Sequence, residues 1–208
     1  MIKIVIIVIL VILLIFKNKD SFKSHKVCNH LDNRCYKVAS KYDSLTHEEA
    51  SKLLAKLNKT SIKLLTILRD KYLYNTDYPK RQHAVKNLLK RYDPDNLIEN
   101  SPHNNVNTSY VKNKGDVFAL CLREKESGEN NFHKKHLIDF VLIHELAHLG
   151  DSNWGHGKSF WETFKFLLYE ANLVGIHKPV DYSLAPVNYC YLDIPSNPFF
   201  NKNIELFK

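Results

Sequence analysis

The segment FVLIHELAHLG, residues 140–150, carries two histidines four positions apart, with a glutamate directly after the first. On an α-helix, side chains at this spacing lie about 40° apart around the axis, so His144 and His148 can reach one metal ion. Glu145 then projects beside the metal, where a hydrolytic enzyme needs a general base. The remaining side chains are apolar around most of the helix, which predicts burial. The segment therefore predicts a zinc-binding helix at the centre of a domain, capped by Gly150.

A catalytic zinc site has three protein ligands and an open fourth position. His156 is the best candidate for the third ligand, because turn-forming residues at 149–155 allow the chain to return to the metal. A second helix is predicted from Lys158, with aromatic residues at helical spacing. Glu162 on this helix stays open as an alternative ligand. Glu170 does not, because it would lie about 21 Å along a continuous helix from His156.

This ligand set predicts hydrolysis of peptide bonds. One zinc ion held by three neutral imidazoles would acidify a water molecule and polarise a carbonyl group. Glu145 would take the proton from that water and pass it to the leaving amine. Tyr182, Tyr189 or Tyr191 could stabilise the developing oxyanion. The sequence does not distinguish among the three, and it is equally consistent with a packing role for all of them.

The string HELAH, followed by HGKSFW from His156, resembles the WLM family of zinc metallopeptidases and, more distantly, the SprT-like proteases. The likeness is greatest to the WLM-domain proteins of large DNA viruses and extends from Leu45 to about Pro198. It includes the blocks KRYDPDNLIENSP (residues 90–102), ALCLREK (119–125) and GIHKPVDY (175–182). The resemblance implies a zincin-like metallopeptidase domain. It also implies that His144, His148 and His156 are the zinc ligands and that Glu145 is the catalytic base.

Residues 1–16 are almost entirely isoleucine, valine, leucine and phenylalanine. As a helix they would span about 24 Å, short of a hydrocarbon core of roughly 30 Å, but Lys3 and Lys17 could reach the two interfaces. A cleaved signal peptide is the alternative, although residues 17–20 lack the small side chains of a cleavage site. The pattern predicts a single-pass transmembrane anchor over residues 1–17. Lysines after the anchor favour a cytosolic catalytic domain.

The four cysteines do not have the spacing of a zinc finger. Cys28 and Cys35 are close enough in sequence to form a disulfide, which would require an oxidising compartment. Cys121 is predicted to be a buried free thiol in an apolar strand, and Cys190 has no evident partner. All four are interpreted as structural.

The rest of the chain predicts one α+β domain that is rich in helix and has a small antiparallel sheet, preceded by the transmembrane helix. Thr46 and Glu49 form a capping box at the start of a long amphipathic helix. Two strands around a turn at residues 113–115 predict a hairpin. The predicted organisation is an anchor (1–17), a linker with the first strand (18–44), a WLM-like metallopeptidase domain (45–198) and a C-terminal tail (199–208).

The net charge of +8 raises the question of nucleic-acid binding. The lysines are spread along predicted helices and no nucleic-acid motif accompanies them, so this partner is not favoured over an anionic membrane surface next to the anchor.

Two classes of function follow from the sequence. The first is a membrane-anchored zinc endopeptidase acting on polypeptide substrates. The alternative is a non-catalytic membrane-anchored scaffold or interaction protein with a structural zinc. The oligomeric state does not follow from the sequence.

Overall fold

The computed structural model describes residues 24–39, 43–100, 108–124 and 131–207. Within these residues the chain forms four α-helices: α1 (Ser44–Tyr72), α2 (Pro79–Arg91), α3 (Lys135–Gly150) and α4 (Lys158–Leu173). The described strands are β1 (Ser24–Asn29), β2 (Arg34–Ala39), β3 (Leu97–Glu99), β4 (Tyr110–Lys112), β5 (Val117–Leu120), β6 (Val187–Tyr189) and β7 (Leu192–Ile194). The fold is α+β, as predicted.

The main sheet is mixed, so the prediction of an antiparallel sheet is wrong. Its described strands follow the order β1-β2-β3-β5-β4, with β2 parallel to β3 and β3 parallel to β5. The two outer pairs, β1–β2 and β4–β5, are antiparallel hairpins. Parallel neighbours need a long crossover connection, and α1 and α2 supply it between β2 and β3. The predicted hairpin around residues 113–115 is confirmed as β4–β5, where it leaves β4 at an edge of the sheet.

Helix α1 begins with a different cap from the predicted one. The side chain of Asp43 accepts a hydrogen bond from the backbone N–H of Thr46, at 2.8 Å. Asp43 therefore satisfies a free N–H group at the first turn, and Thr46 lies inside the helix. A leucine-rich stripe on α1 then packs into the core, and α3 lies beside α2 and α4 with nearly all its side chains buried. The apolar character of α3 places its histidines at the centre of the domain.

Both cysteine pairs form disulfides. The bond between Cys28 and Cys35 joins directly paired residues of β1 and β2, the pair that the sequence left open as a possible disulfide. The prediction that Cys121 is a free thiol is wrong, because Cys121 is bonded to Cys190 across 69 positions of the sequence. Cys190 lies in the turn between β6 and β7, so this bond fastens the second, two-stranded sheet to the end of β5.

The predicted transmembrane helix and membrane location need correction. Among residues 24–39, 43–100, 108–124 and 131–207, no helix is both long and apolar enough to cross a bilayer. Helix α3 is apolar but has 16 residues, where a span needs about 20. The predicted anchor, residues 1–17, lies outside the described residues. Disulfides are typical of oxidising compartments, which also contradicts the predicted cytosolic location.

Candidate metal centre

Helix α3 carries the first two candidate ligands on its one partly exposed strip. Every residue from Leu137 to Gly150 is buried except His144 and His148, which are half-buried. Gly150 is in the last turn of α3 and is not the predicted left-handed cap. A Cβ atom there would lie 3.1 Å from Thr163 Cγ2. Glycine therefore lets the end of α3 pack closely against α4.

A short loop returns His156 to the same place. The carboxylate of Asp151 accepts hydrogen bonds from Asn153 N at 3.2 Å and from Ser159 Oγ at 3.1 Å, which ties the start of the loop to the start of α4. Gly155 has φ +76, in the left-handed region that glycine adopts at little cost. His156 follows it, and its Nε2 lies 3.1 Å from Nε2 of His144.

The three histidines form a group that could hold a metal ion. One ring nitrogen from each of His144, His148 and His156 lies within 4.8 Å of the others. Tetrahedral zinc with Zn–N bonds of about 2.0–2.1 Å places its nitrogen ligands about 3.3 Å apart. Small rotations of the side chains would therefore bring all three to zinc spacing. The structure thus brings together the residues that the sequence predicts as ligands, while zinc ligation itself stays a prediction.

The electrostatic environment keeps the three rings neutral. Burial, followed by the neighbouring His148 and His156, holds the pKa of His144 well below its ordinary value. Burial, together with His156 and Lys114, lowers the pKa of His148 to about 4, and burial also lowers the pKa of His156. Neutral imidazole is the form that coordinates a metal. The rings are therefore ready to bind at neutral pH without losing protons.

Glu145 is the buried carboxyl group beside this centre. Burial raises its pKa to about 8, and its Oε2 atom has no hydrogen-bond partner among the described residues. A buried polar atom without a partner is costly in free energy, so its presence at the wall of a cavity indicates a group that meets a ligand or water. The cluster of potential ligands contains no carboxyl group from the described chain. The alternative ligand Glu162 lies near Lys158, at 3.6 Å, outside the cluster.

Phe160 on α4 fixes the positions of the histidine rings. Its ring centroid lies 4.9 Å from that of His144, 4.3 Å from that of His148 and 4.6 Å from that of His156. Phe160 is fully buried, so its ring is held by packing on all sides. Trp161 contacts the outer face of His156, with centroids 5.8 Å apart. The second helix predicted from Lys158 is confirmed, and its aromatic side chains contact the candidate ligands.

A cavity of about 620 Å³ opens on the candidate centre. The cavity is lined by strand β4 and the residues directly before it, by α3, and by the β6–β7 hairpin with the segment after it. Most of the lining side chains are apolar or aromatic, including Val111, Val141, Trp154, Leu192 and Pro195. Trp154 is 70% exposed at the rim. The arrangement is a cleft with a polar centre, apolar walls and an exposed strand along one side.

Of the three candidate tyrosines, Tyr189 reaches the cleft. Its hydroxyl donates to the carbonyl oxygen of Cys121 at 2.6 Å and lies 2.7 Å from Ser109 Oγ. Tyr182 is buried behind Phe140, whose ring it meets edge to face. Tyr191 is half-exposed in the hairpin turn and is not part of the cleft. Tyr189 is therefore held by the protein and shapes the wall.

Lys114 and Arg91 are residues of the site that the sequence did not reveal. The Lys114 ammonium donates to the carbonyl oxygens of His148 at 3.1 Å and Asp151 at 2.9 Å, and also to that of Asn153. Arg91 donates to Asp151 O at 2.9 Å and to Leu149 O at 2.7 Å. These cations satisfy free carbonyls at the C-terminal end of α3. No pattern in the sequence links residue 114 to residues 148–153, because the contact depends on the fold.

Two viral proteins are similar to this chain. Uncharacterized protein R325 of Acanthamoeba polyphaga mimivirus is 30% identical over 189 residues, which cover 91% of this chain and 91% of that protein. This chain belongs to the family of protein R325. Uncharacterized protein 136R of Invertebrate iridescent virus 6 is 34% identical to this chain over 82 residues, which cover 39% of this chain and 44% of that protein. No protein-family model and no solved structure matches the chain. The functional argument for the R325 family therefore depends on the site.

Proposed function

We propose that this protein is a zinc-dependent endopeptidase that hydrolyses peptide bonds in polypeptide substrates. His144, His148 and His156 would hold one zinc ion, and Glu145 would act as the general base. The observation that carries the proposal is the convergence of three neutral imidazoles within 4.8 Å, beside a buried carboxyl group that lines an open cleft. The resemblance of the same residues to the WLM metallopeptidases supports it.

The donor set suits a catalytic zinc rather than a structural one. Structural zinc sites are closed by four protein ligands, whereas catalytic sites use three and leave one position open. Here the third histidine lies at the exposed mouth of the cleft, so the open side faces the space where a substrate would lie. When bound, zinc would supply the Lewis acidity that activates water and polarises a carbonyl group. The alternative of a non-catalytic protein with a structural zinc is less well supported.

Glu145 would move protons in the proposed reaction. The positive charge that a zinc ion would bring to the three-histidine centre would favour the carboxylate form of Glu145 and oppose the effect of burial on its pKa. The carboxylate would accept a proton from the attacking water and then donate it to the nitrogen of the leaving amine. Because Oε2 has no protein partner among the described residues, it is available for this exchange.

Strand β4 offers a binding site for an extended polypeptide. It is the last strand of the sheet, and residues 108–111 line the cleft. An edge strand presents backbone N–H and C=O groups that can pair with an added strand. A peptide bound in this way would run past the histidine centre, and its side chains would contact the apolar walls. This arrangement supports polypeptides as the substrate class.

The test is cleavage of an unfolded protein, such as reduced and alkylated casein, by the full-length chain. Glu145→Gln keeps the size of the side chain but removes the base, so we expect the variant to retain zinc and to lose cleavage by roughly 10²-fold to 10⁴-fold. Glu162→Gln on α4 is the matched control and should cleave normally. A chelator should abolish the wild-type activity and added zinc should restore it. Equal cleavage by Glu145→Gln and wild type would refute the proposal.

A further inference from the structure

A second group of metal-type ligands lies apart from the three histidines. Cys121, His133 and Cys190 are all buried, and one ligand atom from each lies within 4.8 Å of the others. The two sulfurs are joined as a disulfide, and Nε2 of His133 lies 3.1 Å from Sγ of Cys190. The other disulfide, Cys28–Cys35, is not part of any such group in the described chain. An imidazole nitrogen aimed at a buried sulfur pair is therefore a specific feature of this bond.

Contacts other than the S–S bond also hold Cys121, His133 and Tyr189, the neighbour of Cys190, in place. The N–H of Cys121 donates to Ser109 Oγ at 2.9 Å, and the N–H of His133 donates to Leu122 O at 2.9 Å. Tyr189 donates to the carbonyl oxygen of Cys121, and its ring lies on that of His133 with centroids 4.7 Å apart. The group would therefore remain assembled after the bond is broken.

The geometry allows the sulfurs to open to metal spacing. The Cα atoms of Cys121 and Cys190 are 6.6 Å apart, near the upper end of the range of about 4.4–6.8 Å for disulfides. Two thiolates on tetrahedral zinc lie about 3.8 Å apart, because each Zn–S bond is about 2.3 Å. Rotation of the two side chains can supply this separation. The carbonyl oxygen of Arg123 is next to both sulfurs, at 3.5 Å from Sγ of Cys121 and 3.6 Å from Sγ of Cys190.

We propose that Cys121, His133 and Cys190 form a second metal site, which binds zinc or a similar thiophilic divalent ion when the disulfide is reduced. A phosphine reductant and water convert the S–S bond to two thiols and yield the phosphine oxide. Metal binding then displaces the two thiol protons. Two thiolates neutralise the dication and the imidazole adds no charge, so the occupied site is neutral, as its complete burial requires. The site does not depend on the proposed peptidase function.

The consequence concerns the wall of the cleft. Cys190 lies in the turn of the β6–β7 hairpin, and Leu192, Asp193 and Ile194 of this hairpin line the cleft. The disulfide attaches the hairpin to the sheet in an oxidising environment. The metal would attach it through the same residues in a reducing one. The cleft would keep its shape in both environments.

The test is zinc per chain in the full-length protein, measured by elemental analysis after removal of unbound metal. We expect the phosphine-treated protein to contain one zinc more than the oxidised protein. His133→Ala keeps both cysteines and should lose this additional zinc while retaining the zinc of the three-histidine centre. The paired variant Cys28→Ser/Cys35→Ser is the control and should gain the additional zinc on reduction. Equal zinc in the two redox states, or a gain that persists in His133→Ala, would overturn the proposal.

Cobalt(II) provides an independent readout of the ligand type. Thiolate ligands give cobalt an intense charge-transfer absorption in the near ultraviolet, and a site made of three histidines does not. We expect this band in the reduced, cobalt-loaded wild type and in the double variant His144→Ala/His148→Ala, which lacks the first centre. Its absence from reduced protein that has bound cobalt would refute sulfur ligation.

Discussion

Glu145 combines a cost to stability with the proposed role in chemistry. Its side chain is 3% exposed, and burial raises its pKa to about 8 in the metal-free protein. An acid with a raised pKa stabilises the folded state below the pKa it has when unfolded, and this contribution is lost as the pH rises through the folded pKa. The ionisation of Glu145 should therefore lower the free energy of unfolding of the metal-free protein as the pH rises from about 5 to about 8.

This effect predicts a difference between wild type and Glu145→Gln without metal. Between pH 6.5 and 8, the free energy of unfolding of wild type should fall relative to the variant by about 1 kcal/mol per pH unit, with the slope decreasing as the pH approaches the pKa of Glu145. Burial lowers the pKa of each of the three clustered histidines, that of His148 to about 4, so their titration lies below this window in both proteins. Urea unfolding of chelator-treated samples would measure the difference. Parallel pH profiles would show that the carboxyl group is not buried as described.

At the scale of the elements, the β4–β5 turn holds the loop that carries His156. Lys114 in this turn donates to carbonyl oxygens of α3 and of the loop, at 3.1 Å to His148 O and 2.9 Å to Asp151 O. Lys114 does not touch the candidate metal position itself through these bonds. It is a positioning residue, because it fixes the path of the chain from His148 to His156.

Lys114→Met should therefore weaken zinc binding without removing a ligand. Loss of a supporting contact around a metal site lowers affinity by roughly 10-fold to 100-fold, and we expect an effect in this range. Competition with a chelator of known affinity would measure it. Lys112→Met is the matched control, because Lys112 is an exposed residue of the same hairpin and should leave the affinity unchanged. A normal affinity in Lys114→Met would mean that the loop is held by other contacts.

The same turn depends on Gly115 for close packing against α2. Gly115 has φ +134, and a Cβ atom there would lie 2.4 Å from the carbonyl oxygen of Arg91. Gly115→Ala should lower the free energy of unfolding by at least about 2 kcal/mol, since both strain and a backbone clash oppose the methyl group. Gly157→Ala provides the control, because nothing lies within 4 Å of its Cβ position. Thermal unfolding of the two variants would compare them, and similar losses would contradict this packing.

At the scale of the whole molecule, local patterns predicted the centre of the domain well. The spacing of His144, Glu145 and His148 on one helix, and the turn that returns His156, are encoded within a short stretch of chain. Helix periodicity and turn residues suffice for such features. The structure accordingly brings the predicted ligands together.

Features that join distant parts of the chain were missed. The parallel pairing of β2 with β3 and of β3 with β5 depends on crossovers that no local pattern specifies. The Cys121–Cys190 bond spans 69 positions, and no spacing rule connects such a pair. The contacts of Lys114 arise in the same way. The apolar segment at residues 1–17 led to a membrane prediction, whereas no described helix can cross a bilayer.

The central claim is that three histidines converge on one zinc ion. The most direct test is the zinc content of the oxidised full-length chain and of its His156→Ala variant, with His136→Ala as the control because His136 is an exposed residue of α3. We predict one zinc per chain in wild type and in His136→Ala, and far less in His156→Ala with its secondary structure unchanged. No zinc in folded wild-type protein, or undiminished zinc in His156→Ala, would contradict the three-histidine centre.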